Sequence, residues 1–281
     1  NRNEVPDFPD IGSQVERIAR ELGLTLIKSR EELAPFVTRE TVLQTVLDAL
    51  ADLRYVPQIY HVIARYIYEE ILRASSTEND HDQNATILLI PGYLSPNQFL
   101  FPLTRKLNGS SRTSNIFRSP SPGRRVLEDA AMLAREVTER NQPQSIIGYS
   151  RGGLVILNAV NMLQDAGHDD LVTGATLVAT PAHGINPHVA VIAKRLGLGT
   201  LDLCPGSEAV MAWQNLNEYN RRKITAVCSA RGDVFASPGT CHVDGGITLV
   251  APDRASHQAS MMNPRNPVLR AAIAISLHQH Q

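Results

Sequence analysis

From residue 86 onward, short apolar runs of strand length alternate with helical patterns. This alternation constrains the fold more than any other feature, because it describes helices packed on a mostly parallel sheet. The strand-length runs fall at residues 86–90, 114–118, 145–148, 175–179, 223–228 and 246–250. Helical patterns cover residues 125–140 and 152–165, and a last one covers 267–277. Parallel neighbours need a crossover, and the crossover helices cover the sheet faces. The expectation is an α/β fold with a mostly parallel six-stranded sheet and helices on both faces. In such sheets ligands bind beyond the carboxyl ends of the strands.

Residues 75–84 (SSTENDHDQN) contain no aliphatic or aromatic residue and read as a linker or exposed loop. The chain is expected to divide there. Residues 1–84 form a helical extension ending in this linker, and residues 85–281 form the catalytic domain. Ser13 with Glu16 has the spacing of a capping box. Val15, Ile18, Ala19 and Leu22 then fall on one helix face, and Gly23 ends the run. Ser29 with Glu32 repeats the box, residues 41–53 suit a buried helix, and Ile59, Val62, Ile63, Tyr66, Ile67 and Ile71 form a long apolar stripe. These stripes are expected to be core-packing faces.

The 281 residues carry a formal net charge of −1 with no basic or acidic block, so no nucleic-acid partner is expected. The longest apolar runs, such as residues 87–91, fall far short of the roughly 20 residues of a membrane helix. Cys204, Cys228 and Cys241 lack CxxC spacing, so no zinc site or other metal is expected, and no cofactor. They are either free thiols or include a Cys228–Cys241 bridge. The chain opens Asn-Arg-Asn rather than with Met, which is expected of a processed or trimmed form.

Gly148-Tyr149-Ser150-Arg151-Gly152 is a GxSxG pentapeptide set between a short apolar strand and a helix. A tight strand-to-helix turn strains the serine and exposes its Oγ. The glycines leave room for the close packing of that turn, and the helix N-terminus favours a developing oxyanion. Ser150 is therefore the candidate nucleophile.

A serine hydroxyl needs a base within reach and a group to orient that base. With this type of elbow the chain order is serine, acid, histidine. His257 follows the last strand by a short loop and precedes the final helix, so it is the candidate base. His242 precedes the last strand, at the wrong sheet end, and His278 and His280 lie at the C-terminus. Asp233 is the candidate acid, in the loop at the carboxyl end of the fifth strand. Asp253 competes through its nearness to His257, and Asp244 is less well placed. Two backbone N–H groups must face the tetrahedral oxyanion. Arg151 supplies one, and Tyr93, after Ile90-Pro91-Gly92, supplies the other.

These residues resemble the bacterial triacylglycerol lipases and esterases of the α/β-hydrolase superfamily from about residue 86 to the C-terminus. Ile87-Leu88-Leu89-Ile90-Pro91-Gly92-Tyr93 looks like the oxyanion strand, with Pro91 where His is usual. Ser150-Arg151-Gly152-Gly153-Leu154-Val155 looks like the elbow and its helix, with Arg151 an unusual choice. Ala179-Thr180-Pro181-Ala182-His183-Gly184 resembles the Thr-Pro-x-His-Gly loop, in which His183 would be a wall residue. Pro205-Gly206-Ser207 with Leu216-Asn217 resembles the segment that closes the lid region. The resemblance implies a carboxylic-ester hydrolase with Ser150, Asp233 and His257 as its triad. The compartment is not given by the sequence, and the resemblance favours a soluble, secreted or periplasmic setting. A thioesterase or acyltransferase with the same triad, or a non-catalytic binding protein on the same fold, are the alternatives.

Between the fourth and fifth strands, residues 185–222 read as a helical cap. Val189, Ile192, Ala193 and Leu196 form one apolar stripe, and Val210, Met211, Trp213 and Leu216 form a second. Such a cap either moves as a lid, exposing apolar surface at a lipid interface, or packs permanently on the core. An apolar cap suits small-molecule or lipid esters.

Overall fold

The computed structural model describes residues 11–36, 86–93, 100, 103, 104, 107, 114–117, 125–187, 189–191, 201–233, 235–255, 257, 260, 263 and 265–278. The expected helices at 41–53 and 59–71, and the linker at 75–84, lie outside the described residues.

The six anticipated strands all form. They are β2 (Ile87–Ile90), β3 (Ser114–Ile116), β4 (Gln144–Tyr149), β5 (Val172–Val178), β6 (Ile224–Arg231) and β7 (Ile247–Arg254). They pair in parallel in the order β7-β6-β5-β4-β2-β3. A seventh strand, β1 (Thr25–Ile27), corrects the expected count. It pairs antiparallel with β7, Leu26 opposite Leu249. The segment before residue 85 is thus not wholly helical, and part of it covers a sheet edge. Three residues are too few for a period-2 pattern to register, and the pairing edge comes from over 200 residues downstream.

The helices with described limits include α1 (Ile11–Leu22), α2 (Val126–Arg140), α3 (Arg151–Ala166) and, near the C-terminus, α7 (Pro267–His278). Between them lie the shorter α4 (Glu208–Ala212), α5 (Glu218–Arg222) and α6 (Pro238–Cys241). Ser13 and Glu16 lie inside α1, which is already running at Ile11, so Ser13 is not its cap. Gly23 ends α1 at φ +65°, where glycine carries no Cβ penalty. Residues Glu31–Phe36 form a short 3-10 helix after Ser29, and the Lys28 N–H donates to Glu32 Oε2 at 2.8 Å.

Strand alternation sorts the core into two layers. Leu88, Ile90 and Ile146 face α2 and α3, in a cluster with Leu133, Val137, Leu154 and Leu157. Ile87, Leu89, Ile147 and Tyr149 face the other way, in a cluster with Val15 and Ile18 of α1 and Val268, Leu269 and Ile275 of α7. Burial on both faces explains why the central strands are rich in apolar residues, whereas the edge strand β3 is only partly buried. It also leaves the carboxyl strand ends as the place where polar chemistry can collect.

Candidate active site

Ser150 stands between β4 and α3 with φ 54° and ψ −122°, a conformation that costs an L-residue of order 1–3 kcal/mol. The surrounding structure holds it there. Its N–H donates to Val178 O at 2.8 Å, and its carbonyl accepts from Gly153 N at 3.1 Å. The glycines at the turn are required by the closeness of their neighbours. A Cβ on Gly152 would stand 2.4 Å from Ile90 O, and one on Gly148 would stand 2.7 Å from Gly153 N. The turn is therefore pressed against the end of β2, which brings the chain at Pro91-Gly92-Tyr93 to the start of α3.

The chain then brings three distant residues together. Ser150 Oγ lies 2.7 Å from His257 Nε2. His257 Nδ1 lies 2.8 Å from Asp233 Oδ2 and 3.0 Å from Oδ1. Asp233 is buried in the loop after β6, and its Oδ1 also accepts from the N–H groups of Phe235 (3.0 Å) and Ala236 (2.9 Å). These bonds fix the carboxylate and compensate its burial. Ser150 retains 8% exposure.

Asp244 and His242 lie elsewhere. Asp244 pairs with Arg30 at 2.9 Å and His242 Nε2 at 3.3 Å, while His242 Nδ1 meets Thr248 Oγ1 at 3.1 Å. Asp253 is part of β7, with its side chain outside the described residues. His183 packs edge-on against Trp213 with ring centroids 5.5 Å apart. Burial, helped by the Arg30 charge, holds its imidazole below the ordinary value of 6.5. Tyr93, the second expected oxyanion donor, is half-buried after β2.

The elbow also holds an ion pair that the sequence does not announce. The Arg151 side chain is buried, with Nη1 2.8 Å from Asp129 Oδ2 on α2. An aspartate one turn into an amphipathic helix reads as solvated, and nothing in the sequence marks it as facing inward.

The second cap stripe packs on the core. Val210, Trp213 and Leu216 are buried in the same cluster as α3, and Trp213 Nε1 donates to Ala182 O at 3.0 Å. Met211 points outward. Of the first stripe, Val189 packs against the core, whereas Ile192, Ala193 and Leu196 lie outside the described residues.

A mostly parallel sheet with helices on both faces is an architecture found in solved structures. The chain is similar to the Bacillus licheniformis lipase BlEst2 in its mature form, at 15% identity and TM-score 0.53, covering 70% of this chain and 95% of that one. It has the α/β-hydrolase fold. The propeptide form of the same lipase matches at 15% identity and TM-score 0.51, covering 70% of this chain and 52% of that one. No family model and no curated protein matches the sequence. At this identity the likeness establishes the α/β-hydrolase architecture, and the chemistry must be argued from the residues. Among the described residues no cluster of His, Cys, Asp and Glu could hold a metal, and no helix is long and apolar enough to cross a membrane.

Proposed function

We propose that this α/β-hydrolase cleaves carboxylic esters through an acyl-enzyme on Ser150. The reading rests on one observation: Ser150 Oγ, His257 and Asp233 form an unbroken hydrogen-bonded chain of 2.7 and 2.8 Å. In this reading Ser150 Oγ attacks the ester carbonyl carbon and His257 Nε2 takes its proton. Asp233, which accepts from Nδ1–H, holds the tautomer and stabilises the imidazolium. The carbonyl oxygen becomes an oxyanion and accepts from the backbone N–H groups of Arg151 and Tyr93. Collapse breaks the ester C–O bond, and His257 returns the proton to the departing alcohol. Water, deprotonated by His257, then releases the acid from Ser150.

Apolar side chains beside His257 and on the cap support an acyl ester as substrate. Phe235 is partly exposed and its ring lies 5.2 Å from the His257 ring. Val191, Leu201 and Met211 on the cap are 54%, 58% and 50% exposed. Exposed apolar side chains of this size favour an acyl substrate, and a contact with a lipid interface through the cap.

A fluorophosphonate probe tests the nucleophile. Labelling of the intact protein that disappears in Ser150→Ala is expected, and absence of labelling in the folded protein would refute the enzyme reading. A series of p-nitrophenyl esters of increasing chain length, run beside matched thioesters, then tests the substrate class. Faster turnover of the thioesters would replace the esterase with a thioesterase.

A further inference from the structure

We propose that Tyr149 is a positioning residue that holds His257 in register with Ser150. The proposal rests on the reading of Ser150, Asp233 and His257 as a triad. Tyr149 is the last residue of β4 and is joined by one peptide bond to Ser150. Its side chain is 2% exposed and belongs to the layer of α1 and α7. From there its hydroxyl donates to the main-chain carbonyl of His257 at 2.8 Å. Its ring lies against the imidazole with centroids 5.1 Å apart.

The consequence is a closed ring of constraints. His257 Nε2 meets Ser150 and Nδ1 meets Asp233, but both bonds fix only the imidazole. The loop that carries His257 leaves β7 and is attached to the elbow by the Tyr149 bond to the His257 backbone. The loop is also held to β6, where the Ala255 N–H donates to Arg231 O at 3.1 Å and to Ser229 Oγ at 3.2 Å. Without the Tyr149 bond the carboxylate still orients the ring, yet the ring's distance from Ser150 Oγ is held less tightly. Proton transfer is sensitive to displacements well below 1 Å, whereas substrate binding is not. Burial, reinforced by the Asp233 charge, pushes the Tyr149 phenol well above its ordinary 10.0, so it stays protonated and donating. A tyrosine so buried offers substrate no surface. It acts through His257 and does not take part in the reaction itself.

The test is a double-mutant cycle between Tyr149→Phe and His257→Ala, read as kcat and KM on a soluble p-nitrophenyl ester and as the rate of fluorophosphonate labelling. Tyr149→Phe keeps the buried ring and removes one hydrogen bond. The expected result is a fall in kcat and labelling rate of about tenfold, the scale of one hydrogen bond. KM should stay within about twofold, because ground-state binding is untouched. Tyr149→Leu, which removes the ring as well, should lower kcat further at the same KM. In the His257→Ala background Tyr149→Phe should change nothing further. Wild-type kcat in folded Tyr149→Phe overturns the proposal, and so does a full tenfold loss repeated in the His257→Ala background. A His257→Ala protein that labels at the wild-type rate overturns the triad reading itself, a result distinct from either of these.

Discussion

The Arg151 guanidinium lies 2.8 Å from the Asp129 carboxylate, with the two side chains 9% and 1% exposed. The pair ties the first residue of α3 to α2, directly behind Ser150. A buried pair adds little net stability over an apolar pair of the same shape, but one partner left alone is costly. Asp129→Leu should therefore destabilise the protein by about 3–5 kcal/mol in urea denaturation. Asp129→Leu with Arg151→Met should recover most of that loss. A double variant as unstable as the single one would show that the charges contribute directly.

Asp233→Asn and Asp253→Asn separate the two acids. Asparagine at 233 would present Nδ2–H to His257 and favour the wrong imidazole tautomer. Ester turnover should fall by about 10⁴-fold, with the fold unchanged by circular dichroism. Asp253→Asn should keep near wild-type turnover. The opposite pattern would transfer the role to Asp253.

Two glycine substitutions should differ in kind. Gly152→Ala puts a Cβ 2.4 Å from Ile90 O and 2.6 Å from Pro91 O, both backbone atoms that cannot yield separately. It should displace the elbow and reduce turnover by at least about 100-fold, the scale of a misplaced catalytic group. Gly167 ends α3 at φ +74° with no atom within 4 Å of a Cβ. Gly167→Ala should cost about 1 kcal/mol from the left-handed conformation alone and leave turnover unchanged.

Stability should fall on mild acidification. Burial holds both His183 and His242 below their ordinary value of 6.5, so the native state takes up their protons less readily than the unfolded chain. As the pH falls through and below 6.5 the unfolded chain binds more protons than the native one, and the stability present above that value is lost. The urea midpoint should drop between about pH 7.5 and about pH 5.5, and drop less in His183→Asn with His242→Asn. An equal drop in the double variant would assign the effect to other groups.

Leu201→Ser with Met211→Ser should separate interfacial from monomeric substrates. Both side chains are at least half exposed on the cap, so the fold should be unaffected. Turnover of an emulsified ester should fall severalfold, about 1 kcal/mol for each apolar side chain withdrawn from the interface, while a soluble ester is turned over unchanged. Equal rates on both would exclude a lipid-facing role for this surface.

The parallel sheet and the elbow were legible along the chain because both are local. Most of the strands stood out as apolar runs because they are buried on both faces, whereas β3 is only partly buried. The spacing of Gly148, Ser150 and Gly152 was legible because a tight strand-to-helix turn admits no Cβ at the flanking positions, and the closeness of Ile90, Pro91 and Gly153 explains why. The loop ends that hold Asp233 and His257 followed from the strand order. What meets across the chain was settled only on folding. Folding paired His257 with Asp233, and it engaged Asp244 with Arg30. It added β1 to β7, turned Asp129 inward to Arg151, and packed Trp213 on α3. It also brought the Tyr149 hydroxyl to the His257 carbonyl. These contacts join residues tens to hundreds of positions apart, and a local pattern carries no information about which buried group a folded neighbour will present to it.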